Sequence, residues 1–211
     1  MTNATPTRTS QWRVIDIVTA AVLGVAVGLI FWGWNTIGYA GFSALDALTP
    51  GFGGLFAGIW FLGGPLGALI IRKPGAAIFV EVIAASVSTL IGSQWGIETL
   101  YSGLAQGLGA EIVFMLFVYS RFTPVVAALS GVGSALGAFI VELFTAENLA
   151  KTLEYNLIYL GCMSISGIVL AGLLSYWLVK ALAQTGALDR FAAGRGLNPG
   201  KWTRSFNQMR F

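Results

Sequence analysis

The chain has 211 residues, of which 56% are hydrophobic and 10% charged, with a formal net charge of +3 and a mean hydropathy of +0.77. A soluble globular protein carries about 25% charged residues; the shortfall excludes a water-facing surface and implies an integral membrane protein. Histidine is absent and Cys162 is the lone cysteine, which excludes an intrachain disulfide and weighs against metal-based or histidine-based catalysis.

The expected fold is an all-α membrane protein of six transmembrane helices, divided into a leader (1–13), a spanning domain (14–184) and a basic tail (185–211). The apolar segments run at about 14–37, 51–71, 75–94, 103–120, 123–144 and 156–183, each near the ~20 residues that cross a hydrocarbon core. Span one carries the small-residue series Ala20, Gly24 and Gly28, spaced four apart, and ends in Trp32, Trp34, Asn35 and Tyr39. Such a stripe lets helix backbones approach closely, either inside the bundle or as a docking face for another membrane subunit. Span two carries Phe52, Phe56 and Trp60 at successive four-residue steps, then Gly63 and Gly67. Arg72-Lys73-Pro74-Gly75 makes a tight basic turn, because Pro cannot continue the preceding ladder.

In span three, Glu81, Ser88 and Trp95 are seven apart and share one helix face, drifting ~20° per heptad. Span four holds Gln106 and Glu111, five residues and ~140° apart; either the neighbouring glycines distort the helix or the two side chains meet different partners. Arg121-Phe122-Thr123-Pro124 turns the chain into span five, which carries Gly133, Gly137 and, near its far end, Glu142. Tyr155 and Tyr159 open span six, and with Trp32, Tyr39 and Tyr101 they read as an interfacial aromatic belt. The stretch from Gly194 to Lys201 has the wrong spacing for a phosphate loop, and Trp202 stands where Ser or Thr is needed.

Lys and Arg cluster before span one, after spans two and four, and beyond span six; Lys151 alone falls on the other side. The positive-inside rule then puts both termini in the cytosol of a multi-pass plasma-membrane protein, with the loops 38–50, 95–102 and 145–155 facing out.

Glu81, Glu111 and Glu142 lie inside apolar runs with no resident base. An acid at the bilayer centre costs roughly 2.5–3.5 kcal/mol on insertion scales and normally serves a ligand, an ion path or a partner. Acids without bases suit a ligand that brings positive charge or hydrogen-bond donors, and a flat indole beside them binds a planar cationic heterocycle through its face. The candidate binding residues are therefore Glu81, Glu111, Gln106, Trp60, Trp95, Trp34, Asn35, Ser88 and Glu142, with no metal ligands. For Glu81, the competing reading is a structural bond to a buried backbone or hydroxyl donor.

At Gly58-Ile59-Trp60-Phe61, at Ile71 to Ala77 leading into Glu81, and at Gln106-Gly-Leu-Gly-Ala-Glu111-Ile-Val-Phe114, the chain resembles the YkoE family over residues 12–185. These are substrate-binding (S) components of energy-coupling factor transporters. The resemblance implies capture of thiamine or its hydroxymethylpyrimidine precursor from outside. It also implies delivery with a transmembrane coupling subunit and two ATPase subunits, which use the ATP; the chain itself needs no cofactor and binds no nucleic acid. The stripe Ala20, Gly24, Gly28 is then the expected docking surface. A self-sufficient carrier in which Glu81 and Glu111 cycle protons is the alternative.

Overall fold

The computed structural model describes residues 11–197. Its first helix, α1 (Val14–Leu48), is 35 residues long, about 52 Å at 1.5 Å per residue and well beyond a ~30 Å hydrocarbon core. The expected loop at 38–50 is therefore mostly helix. No breaker stands before Thr49-Pro50-Gly51, and the glycines on the way are covered by rings: a Cβ on Gly38 would lie 2.2 Å from Trp34, and one on Gly41 would lie 2.4 Å from Phe56.

Where the sequence suggests one helix at 51–71, the chain forms a tight 3-10 segment, Phe52–Phe61, followed by the short helix α2 (Gly63–Ile71). Gly53, Gly54 and Gly58 lower helix propensity there, and Pro65 removes a donor from the first turn of α2. α3 (Ala76–Gly92) and α4 (Glu98–Leu116) follow; α4 begins five residues earlier and ends four earlier than its apolar run. α5 (Pro124–Thr145) starts with Pro at its first position, and the Thr123 hydroxyl accepts from Val126 N at 3.3 Å. α6 (Leu153–Ser166) passes through a wider π-helical stretch, Gly167–Leu173, into α7 (Leu174–Gln184), and α8 (Ala192–Leu197) closes the described chain. Among the described residues, four segments can cross a membrane by length and composition: Val14–Leu48, Phe52–Ile71, Pro124–Thr145 and Leu153–Gln184; Ala76–Gly92 is apolar but shorter.

Small residues set the packing. A Cβ on Gly109 would sit 1.9 Å from the Gly133 carbonyl oxygen, one on Gly137 would sit 2.1 Å from that of Ala105, and one on Gly131 would sit 2.0 Å from that of Gly167. α5 is thus pressed backbone to backbone between α4 and the π-helical stretch, as expected for helices that gain no hydrophobic drive from lipid. The stripe on span one is also internal. Ala20 is fully buried, and Gly24 and Gly28 lie under Ile83 and Val87 of α3. Ala20, Gly24 and Gly28 are therefore not an open docking face, because α3 already occupies it.

The two ends of the bundle differ. At one end, buried Asp16 takes Arg13 Nη2 at 2.7 Å and Lys73 Nζ at 2.5 Å, while Trp12 Nε1 donates to the Pro74 carbonyl at 2.9 Å. Leu188, Phe191 and Ala193 pack into the core there, so the chain after Thr185 first folds back on the bundle. Lys201 and Trp202 lie outside the described residues. The other end is hollow.

Candidate ligand cavity

The hollow has a volume of about 340 Å³ and is walled by the C-terminal halves of α1, α3 and α5, the N-terminal halves of α4 and α6, the end of the 3-10 segment and the loop before α6. Six sequence candidates line it: Asn35, Trp60, Ser88, Trp95, Gln106 and Glu142. Three do not, and each is tied off elsewhere.

One wall is a hydrogen-bonded chain across three elements. Trp60 Nε1 donates to Asn35 Oδ1 at 2.8 Å, and Asn35 Nδ2 donates to Ser88 Oγ at 3.0 Å. With its donor and acceptor thus spent, the Asn35 amide fixes the Trp60 ring. Trp95 meets that ring edge to face at 5.4 Å and 87°, and Tyr39 meets Trp95 in the same way at 5.3 Å and 87°. Crossed rings of this kind present both faces and edges to a guest. Trp95 comes from the turn after α3 rather than from the helix itself, which ends at Gly92.

The rest of the lining is acidic and aromatic. Tyr159 donates to Glu142 Oε2 at 2.8 Å, stacks on Tyr155 at 5.8 Å and meets Phe42 edge to face at 6.1 Å. Asp46 accepts from Gly51 N at 2.8 Å, and Glu98 stands at the rim. Among the described lining residues, Asp46, Glu98 and Glu142 face a single base, Lys151. Sequence reasoning missed Asp46 and Glu98 because it placed them in loops, and it assigned Tyr39, Tyr155 and Tyr159 to a lipid interface. For Asp46, the signal available was the absence of any proline between Tyr39 and Leu48.

Glu81 lies beneath the floor rather than in it. Fully buried, it accepts from Gly64 N at 2.5 Å, which supplies the first turn of α2 with an acceptor that its own N-cap, Leu62, lacks. With its amide oriented to pair both ends, Gln106 donates to Glu81 Oε1 at 3.2 Å and to the Trp60 carbonyl at 2.8 Å, and accepts from Ser102 at 2.7 Å. Glu81 thus reaches the cavity only through Gln106.

Glu111 faces the other end of the bundle. Its carboxylate accepts from Gly75 N at 2.5 Å, Ala77 N at 2.9 Å and the Tyr119 hydroxyl at 2.6 Å. It caps α3, whose N-cap is Gly75 at φ 84° and has no side chain for the task. Burial and the adjacent carboxylate push the Tyr119 phenol well above its usual range, so it remains a donor. Because α4 ends at Leu116, Glu111 is not central in its helix, and it does not line the hollow. Gln106 and Glu111 meet different partners, and no helix distortion is required. Trp34 does not line the hollow either: its Nε1 donates to the Phe56 carbonyl at 3.0 Å and its ring stacks on Phe56, pinning the 3-10 segment to α1.

Comparison with known proteins supports the same architecture. Residues 15–137 match the family described as the ABC-type cobalt transport system, permease component. The chain is 37% identical over 189 residues to the putative HMP/thiamine permease protein YkoE of Bacillus subtilis (strain 168), covering 89% of this chain and 92% of that protein. A crystal structure of an S component of an ECF transporter superposes with a TM-score of 0.84 at 34% identity, covering 95% of this chain and all of the other. The chain is a multi-pass plasma-membrane protein and belongs to the YkoE family of energy-coupling factor S components.

Proposed function

We propose that the cavity captures thiamine or its hydroxymethylpyrimidine precursor on the outer side of the membrane. The chain then passes the ligand inward with a transmembrane coupling subunit and two ATPase subunits. The carrying observation is a hollow of about 340 Å³ lined by the crossed Trp60, Trp95 and Tyr39 rings together with Asp46, Glu98 and Glu142. That volume falls within the ~300–1,000 Å³ of small-molecule sites. A thiazolium is flat and positively charged, and an aminopyrimidine is flat and carries N–H donors; both suit aromatic faces and acidic acceptors. The name of the Bacillus relative points to the same ligands. A metal cargo, as the description of the matched family would have it, finds no support in the donor set: among the described residues no three His, Cys, Asp or Glu are grouped to hold an ion.

The six-crossing reading counts α1, residues 52–71, α3, α4, α5 and α6–α7, with both termini cytosolic. The basic turns at one end and the acidic hollow at the other support that orientation. The chain acts as a binding module rather than an enzyme and needs no cofactor of its own. A proton-cycling carrier fits less well, since Glu81 and Glu111 are each committed to amides at a helix start. The test is calorimetry with thiamine and with the pyrimidine on detergent-purified protein, alongside mass spectrometry of any co-purifying small molecule. One-to-one binding of either compound is expected. Cellular uptake should require the ATPase partners and survive collapse of the proton gradient at constant ATP; uptake that follows the gradient, or binding of neither compound, overturns the proposal.

A further inference from the structure

Lys151 is the only Lys or Arg among the described residues of the lining, and it sits at the mouth in the loop between α5 and α6. Its ammonium lies 4.3 Å from the centroid of the Tyr155 ring and donates to the Tyr155 hydroxyl at 3.2 Å. That phenol lies 3.5 Å from both carboxylate oxygens of Asp46, so donors run in one direction, from Lys151 through Tyr155 to Asp46. Glu142 is held in the same wall through Tyr159, which stacks on Tyr155. An aromatic face with carboxylates behind it is the environment a cationic ring needs, and a tethered cation of this chain already occupies it.

We propose that Lys151 is an internal stand-in for the ligand's positive charge and that it sets the cavity's preference between cationic and neutral ligands. This rests on the reading of the cavity as the thiamine or pyrimidine site. A cationic heterocycle entering the acidic wall must move the ammonium off Tyr155 and bears its repulsion. A neutral aminopyrimidine leaves it in place. Lys151 therefore lowers affinity for the cation selectively and narrows the gap between the two ligand classes.

The test compares thiamine with hydroxymethylpyrimidine at mildly alkaline pH, where the aminopyrimidine is unprotonated, on wild type, Lys151→Met and Lys151→Arg. The residue is exposed in a loop, so the variants keep the bundle intact. The ammonium no longer competes for the Tyr155 face and no longer repels a cationic guest, so Lys151→Met should bind thiamine about threefold to tenfold more tightly. Binding of the neutral pyrimidine should change less than about twofold, and Lys151→Arg should keep the wild-type ratio. Unchanged or weaker thiamine binding by Lys151→Met, or an equal change for both ligands, overturns the proposal while leaving the site in place. If wild type binds neither ligand, the proposal falls together with the site.

Discussion

Glu111 and Glu142 are both glutamates in apolar helices, yet their neighbours give them different work. Glu111 ends three donors, two of them the amides that open α3, and none of its contacts borders the cavity. A Glu111→Gln change leaves an amide NH2 against the backbone N–H of Gly75 or Ala77, a donor facing a donor. It should cost about 1–3 kcal/mol of stability, the scale of a buried charged hydrogen bond, and leave thiamine affinity unchanged. Thermal unfolding in detergent beside calorimetry reads both; loss of affinity at full stability would place Glu111 back at the ligand. Trp60 is the opposite case. Trp60→Phe keeps an aromatic face, though a smaller one, but removes the donor to Asn35 Oδ1, so the amide that fixes the wall is freed. Affinity should fall by about 1–3 kcal/mol while the melting temperature barely moves. Residue identity signalled both sites, because an acid or an indole at mid-depth is unusual wherever it points. Direction was not legible: whether a glutamate faces a hollow or a neighbouring helix start depends on helix ends that hydropathy blurs by a turn.

At the scale of elements, two irregular segments meet. Ser166 closes α6 just before the π-helical stretch; its hydroxyl donates to the Leu55 carbonyl at 2.6 Å and accepts from Gly58 N at 2.8 Å, both in the 3-10 segment. The Ser166 hydroxyl thus serves a carbonyl and an amide of the 3-10 segment, and Trp60, two residues on from Gly58, takes its place in the cavity wall. Gly58 is required at this crossing, since a Cβ there would lie 2.3 Å from the Ser166 carbonyl oxygen. Gly58→Ala should therefore separate the segments, with backbone against backbone and nothing flexible to yield. Loss of both thermal stability and ligand binding is expected, whereas Gly161→Ala, with open space around its Cβ position, should match wild type in both assays. A Gly58→Ala protein that binds normally would show that the crossing does not set the wall. The apolar runs made the helices legible, and Pro124 and the Arg72-Lys73 turn marked real ends. The split of residues 51–71 was not read: glycine density warned of it, but hydropathy is blind to the hydrogen-bond period.

The whole molecule is polarised. Arg13, Arg72, Lys73 and Arg121 stand at one end, while Asp46, Glu98 and Glu142 surround the hollow at the other. Basic loops resist translocation, and the proposed capture of a ligand from outside needs an outward-facing hollow, so both proposals call for the same orientation. The single cysteine allows a direct check. In a Cys162→Ala background, Leu149→Cys places a thiol in the loop at the cavity mouth, where Leu149 is 65% exposed, and Ser120→Cys places one in the exposed turn at the basic end. A membrane-impermeant maleimide applied to intact cells should label Leu149→Cys at once and Ser120→Cys only after permeabilisation. Saturating thiamine should slow labelling at Leu149→Cys, which borders the occupied mouth, and leave Ser120→Cys untouched. The reverse order of labelling would turn the hollow toward the cytosol, where the same acids and rings would have to release a ligand rather than capture one.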